Sequence, residues 1–299
     1  MGASALAQIG IYTGKQFRLF KTEKGWKVIV FAAIIAVMVS AVMGSQMFVY
    51  DLDTQRGAFT LISACIWVGI FNSIQSICKE RAIIKREHRS GLSIPAYILS
   101  HMIYQAVICL VETLVILLIS MIFIDYPAGS ALFLEIHVEY FITFFLVTYA
   151  ADVLGLAISA IVKSPTTAMT VMPFILIIQL IFAGLIFPLN GATGTIANVT
   201  LSKWGLNATC ISADYNELVP YEKMKMRYTV WDVCQEKGLV LTEEQLDTIA
   251  DEVYTDSDDA TYDHTFSNLA LQWLVLILHT LIYTGVAMVS LSFVDRDKR

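Results

Sequence analysis

The chain has 299 residues, of which 57% are hydrophobic and only 15% charged, with a formal net charge of −6. So few ionisable side chains cannot cover a water-soluble fold, which excludes that class, and the long apolar runs exclude a β-barrel, whose strands would show as alternating segments of about ten residues. The acidic balance gives no sign of a nucleic-acid partner.

In chain order, Leu6, Ile9, Thr13, Gln16, Phe17 and Phe20, with Lys15, Arg18 and Lys21 between them, predict an amphipathic helix lying along the membrane surface before Gly25-Trp26 turns the chain inward; a disordered basic leader is the alternative. Residues 1–26 are too polar and basic for a cleavable signal, so the first apolar run is expected to stay in the mature protein. Apolar runs at 28–50, 58–77, 96–124, 141–162, 169–187 and 269–291 then predict an all-α integral membrane fold with six transmembrane helices. Each run is long enough to cross a hydrocarbon core of roughly 30 Å at about 1.5 Å per residue. The expected organisation is a cytoplasmic helix at 1–26, spans one to five within 27–187, an extracytoplasmic segment at 188–268, and a sixth span with a short tail at 269–299.

Lysine and arginine set the orientation. Lys15, Arg18, Lys21, Lys24 and Lys27 precede the first span, while Lys79, Arg81, Lys85, Arg86 and Arg89 lie between the second and third. Lys163, Arg296, Lys298 and Arg299 continue that side, and the short alternate loops hold only Arg56. The positive-inside rule then places both termini in the cytoplasm of a cell-membrane protein. The outer segment is acidic, with 14 Asp or Glu against four Lys or Arg from Asp214 to Asp263, and long domains translocate regardless of such charge. Within it Thr242 and Gln245 form a capping box that predicts a short helix at 243–253, followed by a loose run at 255–260.

The stretch 79–91 is a compact charged helix between two spans. Topology explains its Lys and Arg but not Glu80 and Glu87, which suit a surface that docks a charged partner. The order Glu80-Arg81, Arg86-Glu87, Gly91, Ala96-Tyr97 and Ser100 resembles the membrane domain of type-2 ABC exporters, especially the G subfamily. Lys163-Ser164-Pro165, the run 182–189, the run 202–208 and the segment 8–26 are similar to that family's pattern as well.

The resemblance implies a permease that works as a homo- or heterodimer in the lipid bilayer and moves an amphipathic or lipid-like molecule by alternating access. Its coupling residues would be Glu80, Arg81, Lys85, Arg86 and Glu87, touching an ATP-binding subunit or domain. Spans two and five would line the pathway, where helical spacing groups Trp67, Val68, Phe71 and Gln75 on one and Ile175, Gln179 and Phe182 on the other. No Gly-x4-Gly-Lys-Ser/Thr motif occurs in the chain, so ATP and magnesium are assigned to the partner subunit or domain, with no cofactor, catalytic residue or metal expected here.

Glu112 and Asp152 are the two carboxylates deep in predicted spans, where charge is costly and marks either hydrogen bonding within the protein or a functional site. Rival readings use them in a proton-coupled secondary transporter, or with His101 or His279 in an intramembrane transferase, although no catalytic spacing is visible. Cys65, Cys78 and Cys109 are expected to stay reduced, while Cys210 and Cys234 share the outer segment and are a candidate disulfide pair. Asn198-Val-Thr200 and Asn207-Ala-Thr209 match the glycosylation acceptor. Asp256, Asp258, Asp259 and Asp263 read as a solvated acidic run, since the Gly and terminal Glu of an EF-hand loop are missing.

Overall fold

A computed structural model of the chain describes residues 4–44, 47–127, 131–133, 135–187, 189–237, 242–253 and 259–294. The Ser4 hydroxyl accepts from the Ala7 N–H at 3.3 Å and so caps the first helix, α1 (Ala5–Thr22). A 69° bend separates it from α2 (Lys27–Met43). Gly25 sits in this bend because a Cβ there would run into the Phe20 ring. The surface helix expected from the spacing of Leu6 to Phe20 is thus a separate element, followed by a turn.

The long helices α3 (Asp51–Ser73), α5 (Ile94–Phe123), α6 (Ile136–Ile161) and α12 (Phe266–Ser292) are each apolar and long enough to cross a membrane. Counting α1 and α2 as one broken span makes five. α4 (Ser76–Arg89) follows α3 almost without interruption. The fifth anticipated run, 169–187, falls on α7 (Pro165–Ile181), whose 17 residues reach only about 25 Å as a helix. Ser164 caps it and Pro165 starts it, four residues before the anticipated run, and Pro173 lies inside it. The chain is therefore a multi-pass helical membrane protein, with no strand among the described residues beyond an isolated Tyr50–Val219 bridge.

α3 and α6 form the centre, and glycine sets how closely they approach. A Cβ on Gly69 would strike the Thr148 carbonyl of α6, and one on Gly155 would strike the Ser73 hydroxyl and sit 2.9 Å from the Ile70 carbonyl of α3. Small residues at such crossings let backbones touch and gain dispersion contacts where lipid offers no hydrophobic drive. After the short α8 (Ala192–Ala197), α9 (Leu201–Ser212) returns into this bundle. Leu206, Ala208, Cys210 and Ile211 are buried, and Gly205 lies within 2.9 Å of Val147 and Ile62 if given a Cβ. The first part of the 188–268 segment thus packs into the bundle.

Farther along, Arg227 of α10 (Tyr221–Glu236) pairs with Asp247 at 3.0 Å and with Glu243 on α11 (Glu243–Val253). The capping box forms as anticipated: the Thr242 N–H donates to Gln245 Oε1 at 3.0 Å and the Gln245 N–H to Thr242 Oγ1 at 3.3 Å. Asp259 accepts from the Thr261 N–H at 2.9 Å, and no metal-binding group of acids occurs among the described residues. Pro188, Asp256, Asp258, Arg296, Lys298 and Arg299 lie outside the described residues.

The close α3–α6 crossing predicts that Gly69→Leu costs about 1–3 kcal/mol through overpacking. Gly10→Ala, where nothing lies within 4 Å, should be neutral or slightly stabilising. Thermal unfolding of the two variants in one detergent compares them directly; equal midpoints would show that the crossing is not tight.

Candidate coupling surface and inner cavity

No side chain of its own caps the start of α4; Ser159 of α6 does so instead, accepting from the Ile77 and Cys78 N–H groups at 3.0 and 3.1 Å. Arg81 then reaches back to the end of α6, where Nη1 donates to the carbonyls of Ala160 at 2.7 Å and Val162 at 3.2 Å. A cation at a helix C-terminus satisfies orphan carbonyls and complements the helix dipole. Glu80 receives the Lys15 ammonium at 2.9 Å and the Tyr97 hydroxyl at 3.2 Å, joining α4 to α1 and α5. Tyr12 of α1 donates its hydroxyl to Glu87 at 2.9 Å. Burial, followed by the hydrogen bond and charge of Glu87, pushes that hydroxyl up to about 12, so it remains a donor at neutral pH. Gln8 completes the fastening by donating to the Gly91 carbonyl at 3.2 Å and accepting from the Ser93 N–H at 2.9 Å. Gly91 turns the chain with φ of +102°.

Three of the five anticipated coupling residues, Glu80, Arg81 and Glu87, are therefore engaged inside the protomer, while Lys85 is half-buried and Arg86 is exposed. The outer face of α4 is a stripe at helical spacing, made of Ile83, Arg86 and Arg89, with Ile83 41% exposed, while Lys79 on the first turn borders the inner cavity. Lys79, Ile83 and Arg89 were absent from the anticipated set. Helical periodicity could have grouped Ile83 and Arg89 with Arg86, but only α1, α5 and α6 determine which face is covered.

The anticipated pathway residues divide similarly. Trp67 and Phe71 are 40% and 47% exposed with ring centroids 6.2 Å apart, whereas Val68 is buried. Gln179 is 5% exposed, and its Oε1 accepts from the Leu201 and Ser202 N–H groups at 2.8 and 3.2 Å, capping α9. Ile175 packs against the core, and the Phe182 carbonyl accepts from the Thr200 hydroxyl at 3.3 Å. Phe71 and Gln75 meet instead at a cavity of about 480 Å³ bounded by α1, the α3–α4 junction, α5 and Met169 at the start of α7. Its α1 wall was not foreseen: the Gln16 amide donates to His101 Nε2 at 3.0 Å.

Asn72, on the cavity wall, donates to Glu112 at 2.6 Å, and the Ser73 hydroxyl donates to the backbone carbonyl of Asp152. Both carboxyls are fully buried, and neither pairs with a Lys or Arg among the described residues. His101 is taken by Gln16, and His279 sits at 2.8 Å from the Val275 carbonyl. Cys210, buried in α9, and Cys234 on α10 are both free thiols, so the candidate disulfide is absent from this structure.

A bundle of apolar helices with a charged helix fastened beneath it defines a membrane permease domain. The chain belongs to the ABC-2 type transporter family, whose model matches residues 7–211. It is also similar to a protein of Mycobacterium tuberculosis described as an ABC transporter ATP-binding/permease protein, with 27% identity over 231 residues. That match covers 73% of this chain and 26% of the relative, so the chain spans about a quarter of its length.

Removing the guanidinium in Arg81→Ala leaves the last carbonyls of α6 without their donor, a loss of about 1–3 kcal/mol. Amide hydrogen exchange should quicken in α4 and the last turn of α6 while α12 is unchanged; equal exchange in variant and wild type would refute this anchoring role.

Proposed function

We propose that the chain is the permease part of an ABC exporter, working as a dimer with its six apolar segments in the membrane and both ends in the cytoplasm. Nucleotide-driven closure of two ATP-binding subunits or domains moves α4, and α4 moves α3 with it, switching a pathway between inward and outward access. The substrate is amphipathic or lipid-like, in keeping with the mixed aromatic and amide side chains of Trp67, Phe71 and Gln75. A permease of this kind performs no hydrolysis, and ATP and magnesium belong to the partner. The relative's description, which joins an ATP-binding part to a permease, supports such a partner. So does the basic sequence of α4 and its flanks, which under the positive-inside rule supports a cytoplasmic position for that helix.

The observation that carries the proposal is the two-sidedness of α4. Its inner face is fastened to three helices by Glu80, Arg81 and Glu87, and its outer face presents Arg86 and Ile83. A small apolar centre with flanking charge is the pattern of a docking patch, and fastening on the opposite face makes it able to transmit displacement.

Co-purification with the ATP-binding partner in mild detergent tests this. Ile83→Asp with Arg86→Glu should lower partner retention about tenfold or more, given losses of 1–3 kcal/mol at each docking residue. Glu80→Gln should retain the partner but weaken the dependence of transport on ATP. Retention by the double variant would remove the docking face from the account.

A further inference from the structure

The cavity beside α1 has a divided character. At its rim stand Glu23 at the end of α1 and Lys79 on α4, both exposed and neither in an ion pair with another described residue. The third rim charge, Glu80, is already neutralised by Lys15 at 2.9 Å. Deeper in, several polar groups are occupied by protein. Gln16 bonds His101, the Gln105 amide donates to the Asn72 carbonyl at 3.4 Å, and the Asn72 amide donates to Glu112. What remains between Phe20, Phe71, Tyr104 and Ile108 is a slot with aromatic and aliphatic walls, beside the Gln75 side chain. From His101 to Ile108 it runs two turns along α5, roughly 10 Å at 1.5 Å per residue.

We infer that this cavity binds a zwitterionic amphiphile with one slender tail, its phosphate at Lys79, its amine at Glu23 and its chain in the slot ending at Ile108. The assignment follows from charge and size. One cation and one carboxylate at the mouth, neither paired with another described residue, match a head that carries both signs, whereas an isolated anion or cation would engage only one of them. A volume of about 480 Å³ is that of a small-molecule site and accommodates a single chain far better than a two-tailed lipid. Access from the inner leaflet rests on the orientation proposed above. The occupant would touch both α1 and α4 beside the Lys15–Glu80 pair, so its presence bears on the helix that docks the ATP-binding partner.

The test uses the full chain with its ATP-binding partner in phosphatidylcholine nanodiscs and a lysophosphatidylethanolamine carrying a photoreactive group at the tail end, with cross-links located by mass spectrometry. Cross-links should concentrate on Phe71, Tyr104 and Ile108. Ile108→Trp, which fills the slot, should reduce them about tenfold, and Met169→Trp narrows it from the opposite wall should the first variant fail to fold. Leu118→Trp, on the exposed face of the same helix, should change nothing. Lys79→Glu should reduce capture about fivefold or more, and adding Glu23→Lys should restore it.

Cross-links spread over Leu114 and Leu118 and indifferent to Ile108→Trp would overturn the site. Preference for lysophosphatidate, strengthened by Glu23→Lys, would overturn the zwitterionic assignment in favour of an anionic occupant. Stimulation of ATP hydrolysis by the probe would mark the occupant as cargo, whereas capture without stimulation would mark a resident lipid; the site stands in both cases. Capture without retention of the ATP-binding partner would sink the transport reading alone, and retention without capture would sink the cavity alone.

Discussion

Arg81 ties the end of α6 to the start of the charged helix beneath the bundle, and the rest of the architecture depends on that connection. α6 ends at Ile161 with carbonyls that lipid or protein interior cannot satisfy, and Arg81 supplies the donors. In return Ser159 of α6 caps the first N–H groups of α4. Each helix therefore completes the other's end. Because only Ile74 and Gln75 separate α3 from α4, and α3 meets α6 at the Gly69 and Gly155 crossing, these three helices form one mechanical unit.

α1 and α5 close that unit from the other side. Lys15 and Tyr97 converge on Glu80, Tyr12 engages Glu87, and Gln8 holds the Gly91 turn. Individually such half-exposed contacts contribute little, on the order of 1 kcal/mol or less. Together they leave α4 one face on which to meet anything else. The same fastening creates the inner cavity, since α1 can reach α4 only by bridging over the space between Phe20, Phe71 and Tyr104.

Much of this was legible from the residues alone. Unbroken apolar runs located the long helices, and Thr242 and Gln245 marked the start of α11. Faces were less legible than elements. Glu80 and Arg86 are equally polar, and only the positions of Lys15 and Tyr97 turn one inward and leave the other outside. Gln179 illustrates the same difficulty: an amide on an apolar helix needs a partner, and the sequence does not distinguish cargo from the backbone of α9. The cavity depends on Gln16 meeting His101 across 85 positions of sequence, which no local pattern encodes.

The central claim is that α4 transmits force as a rigid extension of the protomer. The most direct measurement is a spin-label distance between Leu6→Cys on α1 and Ser90→Cys at the end of α4, in a Cys234→Ser background that leaves only buried native thiols, with and without ATP in the assembled complex. The account predicts an unchanged Leu6–Ser90 distance within one protomer while the Ser90–Ser90 distance between protomers shortens. A change in the distance within the protomer, with the one between protomers fixed, would show that α4 moves independently and would contradict it.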